Sequence, residues 1–254
     1  LFARERRDKI INLLKKDKSV KVSHLIDTFD VSFETIRRDL ESLEKGGYLK
    51  RVHGGAVLDE VDSRELTFTV RKTKNENEKK ELAQTATRYV TEGQSIAIDV
   101  STTNTEFAKA LKSKFKRLTV LTNSMMIAHE LSEMKDYTIL FAGGIIRNQE
   151  LCSIGDFAEE FVSNFHIDTF FMSISGISLM KGLTDYGIGE VQVKKKMLEV
   201  AQDCVVLADS SKFDVISLVK VCDYNQINRI VTDGMISENI VEKYQQNGIE
   251  IIYS

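Results

Sequence analysis

The 254-residue chain contains no proline, where an average usage of about 5% would supply roughly a dozen. One of the usual markers of segment boundaries is therefore missing. Cysteine is scarce: Cys152, Cys204 and Cys222 are odd in number, and no two are spaced as metal ligands or a redox pair. That excludes a disulfide framework and fits buried thiols in a reducing compartment. His24, His53, His129 and His166 are scattered, with no His-x-x-His or His-Glu-x-x-His pattern, so no metal or other cofactor is expected. No apolar run reaches the roughly 20 residues of a membrane helix, and no charged-then-apolar leader opens the sequence. The expectation is a soluble cytoplasmic protein with no membrane partner. A GxSxG elbow, a Walker loop and a dinucleotide glycine fingerprint are also lacking.

What is present is ordinary globular composition: 42% hydrophobic, 29% charged and 8% aromatic residues. The length suits one large domain or two smaller ones. The net charge of −3 is unevenly spread. Leu1 to Val57 holds 13 Lys/Arg against 9 Asp/Glu, and the remainder 22 against 29. A small basic lobe on a larger acidic one suggests that only the first meets a polyanion.

Arg4 to Lys16 has helical periodicity, with Ile10, Ile11 and Leu14 on one face. A short second helix carries Val22, Leu25, Ile26 and Phe29, and Asp30-Val31-Ser32 is a tight turn. Ser32 is placed as an N-cap, with Val31 and Ile36 as a hydrophobic staple. Ile36, Leu40 and Leu43 line the inner face of a third helix that Gly46-Gly47 ends. Glu34, Thr35, Arg37, Arg38 and Glu41 fall on its outer side. Apolar alternation around Gly54-Gly55 predicts a hairpin beside Lys50 and Arg51. Together these form a winged helix-turn-helix, whose third helix enters the major groove. Its expected DNA-binding residues are Ser32, Thr35, Arg37, Arg38, Lys50, Arg51, His53 and Gly54; an arginine fork grips guanine or phosphate with two bonds.

The run from Val31 to Leu40, with its Arg37-Arg38-Asp39-Leu40 core, and Arg51-Val52-His53-Gly54-Gly55-Ala56 resemble the N-terminal signature of DeoR-type bacterial transcriptional regulators. The domains expected are a winged helix-turn-helix over 1–57, a charged linker over 58–75 with a short extended piece at Leu66, Phe68 and Val70, and an α/β domain over 76–254.

In the last of these, apolar runs at Ser95–Val100, Leu118–Leu121, Tyr137–Phe141, Thr169–Ile174, Cys204–Ala208, Arg229–Val231 and Ile249–Tyr253 alternate with helical patterns. The fold class is α/β, a doubly wound and mostly parallel sheet. Strand ends carry polar clusters: Asp99 with Ser101-Thr102-Thr103, Thr122-Asn123-Ser124, Gly143-Gly144 with Arg147, Ser175-Gly176, Asp209-Ser210-Ser211-Lys212 and Thr232-Asp233-Gly234. Ligands of open α/β sheets bind at that edge, where helix N-termini suit a phosphate. Arg147 and Lys212 are candidates to neutralise it, and Asp99 and Asn123 to hold sugar hydroxyls. Each Ser, Thr or Asp also fits as a plain helix cap.

These clusters resemble the DeoR-type sensor domain, which is similar to ribose-5-phosphate isomerase and glucosamine-6-phosphate deaminase. The resemblance implies a phosphorylated-sugar effector at Asp99, Ser101, Thr102, Thr103, Thr122, Asn123, Ser124, Gly143, Gly144, Arg147, Gly176, Asp209 and Lys212. Ser101 departs from the family, where many members have Gly, and Ser173-Ile174-Ser175-Gly176 departs from the commoner glycine-containing run.

The expected function is a repressor of a carbohydrate operon that binds double-stranded operator DNA as a homo-dimer or tetramer. The competing expectation is a sugar-phosphate isomerase drawing on Asp99, Asp168, Asp209 or Glu190. The helix-turn-helix favours the regulator, since an enzyme needs no base-reading lobe.

Overall fold

The computed structural model describes residues 3–17, 19–45, 49–57 and 68–253. Two units are formed, Leu1–Leu66 and Thr67–Ser254. The first runs α1 (Ala3–Asp17), β1 (Ser19–Lys21), α2 (Val22–Phe29), α3 (Phe33–Lys45), β2 (Lys50–Val52) and β3 (Gly55–Val57). Ile10 and Leu14 of α1, Leu25 and Phe29 of α2, and the Ile36, Leu40, Leu43 stripe of α3 share one core. Asp30 closes α2 with φ 49°, a left-handed conformation that a short polar side chain tolerates. Ser32 Oγ then accepts the Thr35 N–H at 3.3 Å, so it caps α3 as expected. Val31 packs on the same core as Ile36.

Strands β2 and β3 pair antiparallel with Val52 opposite Gly55. They leave a two-residue turn, His53-Gly54, in which Gly54 takes φ 79°. The sequence pattern gives no sign of β1, which joins the other edge of β3. Its approach needs Gly55, because a Cβ there would lie 2.2 Å from the Val20 carbonyl oxygen. The expected Gly46-Gly47 stop lies outside the described residues, as does the linker over 58–67.

The second unit begins with α4 (Phe68–Thr73) and α5 (Glu76–Ala86). Phe68 and Val70 therefore belong to a helix and not to the extended piece expected there. Next come β4 (Ser95–Ile98), α6 (Thr102–Lys114), β5 (Thr119–Thr122), α7 (Met125–Leu131), β6 (Thr138–Phe141), β7 (Ile145–Arg147), β8 (Cys152–Ile154) and α8 (Asp156–Ser163). The chain continues through β9 (Ile167–Ser173), β10 (Gly176–Ser178), β11 (Gly182–Asp185), α9 (Ile188–Val200), β12 (Ala201–Leu207), β13 (Val219–Cys222), β14 (Arg229–Val231), α10 (Glu238–Gln245) and β15 (Ile251–Ile252).

The main sheet has the order β15-β14-β12-β9-β4-β5-β6, and every pairing in it is parallel. Its seven strands are the seven expected from the apolar runs. Both faces are covered. Ile96, Ile98, Phe171, Val205 and Leu207 pack with α5, α6 and α7, while Ala97, Phe170, Met172, Cys204 and Val206 face α8, α9 and α10. Burial on both sides explains why these strands lack polar alternation. The chain leaves β4 outward to β5 and β6, then returns to β9 on the other side of β4. That reversal is the switch point at which open sheets bind ligands. The β7–β8 hairpin and the small β10-β11-β13 sheet were not expected; each strand is only three or four residues long.

Candidate functional site

On the first unit, α3 presents its polar face outward. Glu34 and Arg37 are joined by two hydrogen bonds, from Arg37 Nε at 2.9 Å and Nη2 at 2.8 Å, and Arg38 Nε lies 3.4 Å from the same carboxylate. The bond from Arg37 holds the Glu34 carboxyl below its ordinary range. Thr35 hydrogen-bonds Ser32 through their hydroxyls at 2.9 Å. Lys50, His53 and Gly54 are exposed on the wing. Arg51 is committed within the fold, since its Nε donates to Glu44 at 2.7 Å and its N–H at 2.9 Å. It braces the wing on α3 instead of reaching out unaided.

Between α3 and the wing lies a cavity of about 370 Å³, lined by Phe33, Arg37, Val52 and His53 among others. Phe33 is 60% exposed at the start of α3. Sequence reasoning passed this residue over. Behind this face, Asp39 is buried and accepts from Arg6 Nε at 2.5 Å and Arg7 Nε at 3.0 Å, which locks α1 to α3.

On the second unit, several predicted contacts prove to be internal supports. Asp99 is 2% exposed. Its oxygens accept from the Ser173 N–H at 2.7 Å, the Ser173 hydroxyl at 2.6 Å and Asn104 Nδ2 at 2.9 Å, with Lys194 Nζ at 3.1 Å. Burial raises its pKa, and Lys194 and Ser173 offset only part of that rise. Asn123 accepts from the Val100 N–H at 3.2 Å and donates to the Ser153 carbonyl at 3.0 Å. Both side chains are buried and held by these internal partners. Both pin the loops after their strands.

Ser101 caps α6 by accepting the Asn104 N–H at 2.8 Å. Ser124 caps α7 through the Ile127 N–H at 3.3 Å, and Thr122 Oγ1 accepts the Ser124 N–H at 3.1 Å. The plain capping explanation holds for these. Because Ser101 is the N-cap of α6, Thr102 and Thr103 form its buried first turn. Gly176 is a packing residue: a Cβ there would meet the Val215 carbonyl oxygen at 2.6 Å. Gly143 and Gly144 are exposed after β6, and around Gly143 the space is open.

The remaining candidates join groups that sequence reasoning missed. Asp209 accepts from the Ser211 N–H at 3.1 Å and from Asn75 Nδ2 at 3.0 Å. It lies within electrostatic reach of both Lys212 and Lys79. Lys79 is 5% exposed, and its ammonium donates to the carbonyls of Arg71 at 2.5 Å and Lys74 at 2.6 Å. Burial pushes its pKa down to about 8, with Lys212, Arg71 and Lys74 adding repulsion and Asp209 opposing them. Arg71 pairs with Glu150, whose N–H donates to the Arg147 carbonyl at 3.2 Å. Arg147 Nη1 in turn reaches Glu190 at 2.5 Å. Glu190 Oε2 is buried and lacks a hydrogen-bond partner among the described residues. An arc of charged side chains thus runs from Lys212 to Glu190, with Lys79 and Lys212 at one end. The signal for Lys79 was its position three and four residues before Leu82 and Ala83, on the buried stripe of α5.

Residues 6–61 match the model of the DeoR-like helix-turn-helix domain, and residues 74–234 match that of the DeoR C terminal sensor domain. The chain belongs to the DeoR family. It is 34% identical over 251 residues to the HTH-type transcriptional regulator GolR of Listeria innocua, covering 99% of this chain and 98% of that one. It is 33% identical over 250 residues to the putative aga operon transcriptional repressor of Escherichia coli O157:H7, covering 98% and 93%. Among solved structures, ribose 5 phosphate isomerase A from Neisseria gonorrhoeae aligns with a TM-score of 0.39 and 18% identity, over 53% of this chain and 52% of that one.

As a DeoR-family member the protein is a transcriptional regulator with an α/β sensor domain, and the isomerase expectation gives way. Asp168 of the four acids weighed for catalysis sits at the start of β9, bonded to the Ser95 N–H at 2.8 Å, at the opposite end of the sheet from Asp99 and Asp209. No helix among the described residues is long and apolar enough to cross a membrane.

Proposed function

We propose that this DeoR-family regulator represses a carbohydrate operon and that a phosphorylated sugar, bound without turnover along the arc from Lys212 to Glu190, changes its operator affinity. The observation that carries the proposal is the buried ammonium of Lys79 with Lys212 beside it at the carboxyl edge of the sheet, next to the switch point. A phosphate dianion relieves the mutual repulsion of these cations. Ligand hydroxyls donate to the buried Glu190 Oε2, unpartnered among the described residues, and accept from Arg147. Operator half-sites come in pairs, so the regulator acts as a dimer or tetramer. The ligand must favour an arrangement of α3 helices that mismatches the half-sites, and a coupling of ~1–3 kcal/mol suffices for a 5- to 150-fold change in occupancy.

The test is a thermal-shift screen of triose, pentose and hexose phosphates against inorganic phosphate, with product analysis of each mixture. A sugar phosphate is expected to raise the melting temperature without being converted. Lys79→Met and Lys212→Ala should each abolish that shift while leaving operator binding intact; a normal response in both counts against the site. Because phosphate binding needs the Lys79 ammonium, affinity should fall as pH rises through about 8. The ligand-free protein should show the opposite trend. Between about 8 and the ordinary 10.5 the unfolded chain holds the Lys79 proton more tightly than the folded one, so this group adds stability as pH rises.

For the DNA face, Arg37→Ala and Arg38→Ala are each expected to cost about 1–3 kcal/mol if the residue reads a base. Unchanged operator affinity in the double replacement removes α3 from the groove.

A further inference from the structure

The bidentate pair at the start of α3 has a geometry that bears on how DNA is discriminated. Glu34 and Arg37 lie one turn apart, and the Nε and Nη2 hydrogens of Arg37 engage both oxygens of the carboxylate. Glu34 and Arg37 are each 49% exposed and Arg38 75%. Packing therefore does not force the arrangement; the carboxylate does. A guanidinium carries five N–H bonds in one plane. Two of them are committed along the Nε edge, so the outer edge, with both Nη1 hydrogens and one Nη2 hydrogen, stays open. That end-on fork is the part of arginine that spans O6 and N7 of guanine.

Holding the fork in place before DNA arrives removes part of the rotamer entropy that a long side chain loses on binding. The same carboxylate is repelled by phosphates. A duplex that offers no guanine to the fork meets this repulsion with nothing to offset it. Opposing the wrong partner is as much a part of specificity as attracting the right one.

We infer that Glu34 is a specificity-determining positioning residue, which aims Arg37 at a guanine in each operator half-site and penalises duplexes that lack it. The inference rests on the reading of α3 as the groove-entering helix, and the experiment separates the two.

Full-length protein is used to select a tight-binding duplex from a random pool. Dissociation constants are then measured on that duplex and on a scrambled one of equal composition, across a range of salt, for the wild type, Glu34→Gln, Glu34→Ala, Arg37→Ala and the Glu34→Ala/Arg37→Ala double variant. Loss of Glu34 is expected to weaken the selected duplex about 3- to 10-fold, through a poorer guanine contact. It should tighten the scrambled duplex about 2- to 5-fold, through lost repulsion of phosphates. Opposite signs on two DNAs are not what a merely structural defect produces. In the Arg37→Ala background the weakening on the selected duplex should disappear, and re-selection with Glu34→Ala should lose one guanine per half-site.

Equal changes on both duplexes, or a Glu34 effect that persists without Arg37, overturn the inference while leaving α3 as the reader. An Arg37→Ala protein that binds the selected duplex normally overturns the inference, and only the Arg37→Ala/Arg38→Ala double replacement binding normally overturns the reading of α3 as well. Should Glu34→Ala melt early, the near-isosteric Glu34→Gln, which keeps the length and shape of the side chain, carries the comparison.

Discussion

Replacing Lys194 by Met is expected to destabilise the α/β unit by about 3–5 kcal/mol, the usual cost of removing one partner from a buried ionic cluster. Lys194 is 1% exposed. Its ammonium donates to the Ser173 carbonyl at 2.7 Å, lies 3.1 Å from Asp99 and also pairs with Asp185. Burial by itself would lower its pKa, but the two carboxylates outweigh burial and raise it above the ordinary 10.5. The ammonium therefore stays charged in the fold. Methionine matches the length of the stem and fills the space, yet it leaves Asp99 and Asp185 facing each other without a cation. Urea titration checks this: the midpoint should fall with an unchanged slope, and adding Asp99→Asn should restore part of the loss. A midpoint equal to the wild type counts against the cluster as a stabilising unit. Because Lys194 ties the ends of β4 and β9 at the switch point, ligand response should be lost as well.

The second large effect belongs to the other unit. Asp39→Ala is expected to cost about 3–5 kcal/mol there, because a buried carboxylate that neutralises Arg6 and Arg7 is removed. Units of about 60 residues bury little surface and have little stability in reserve. Most of the helix-turn-helix should then be unfolded at physiological temperature, and operator binding should fail. Helical circular dichroism against temperature separates this from Arg37→Ala, which should lose operator binding with its melting curve unchanged. An Asp39→Ala protein that melts like the wild type removes the cluster as the lock between α1 and α3.

These two residues also show where sequence reasoning runs out. Arg37-Arg38-Asp39 reads as one polar run, yet helical geometry turns Arg37 and Arg38 to solvent and Asp39 under α1. Lys194 opens a run of three lysines and looks like a solvated face. Its spacing of three residues from both Val191 and Met197, which are buried, places it on the inner stripe of α9. In both cases the helical period marks the position as inward, and the partner that makes a buried charge tolerable comes from a distant segment.

The helix-turn-helix was legible because its signals are local. Ser32 caps α3, Asp30 makes the turn, and Ile36, Leu40 and Leu43 repeat at helical spacing. The seven parallel strands were legible because burial on both faces demands uninterrupted apolar runs. Strand β1 and the small β10-β11-β13 sheet were not, since three or four residues with mixed polarity carry no period. At the sheet rim, the polar clusters were found by their place after each strand. Their roles were not: a serine that caps a helix and a serine that touches a ligand are the same letter.

Residue order alone settled the three helices of the first unit, the seven strands of the main sheet, the basic lobe ahead of the acidic one, and the DeoR-type motifs. Those properties depend on neighbours a few positions away. Which charges are enclosed, and by what, was decided only when distant segments met. Lys79 acquires its depressed pKa beside the end of β12, and Asp99 is used up by Ser173 and Lys194. Burial and Coulomb energy depend on distance in space, and a linear string of residues does not record that distance.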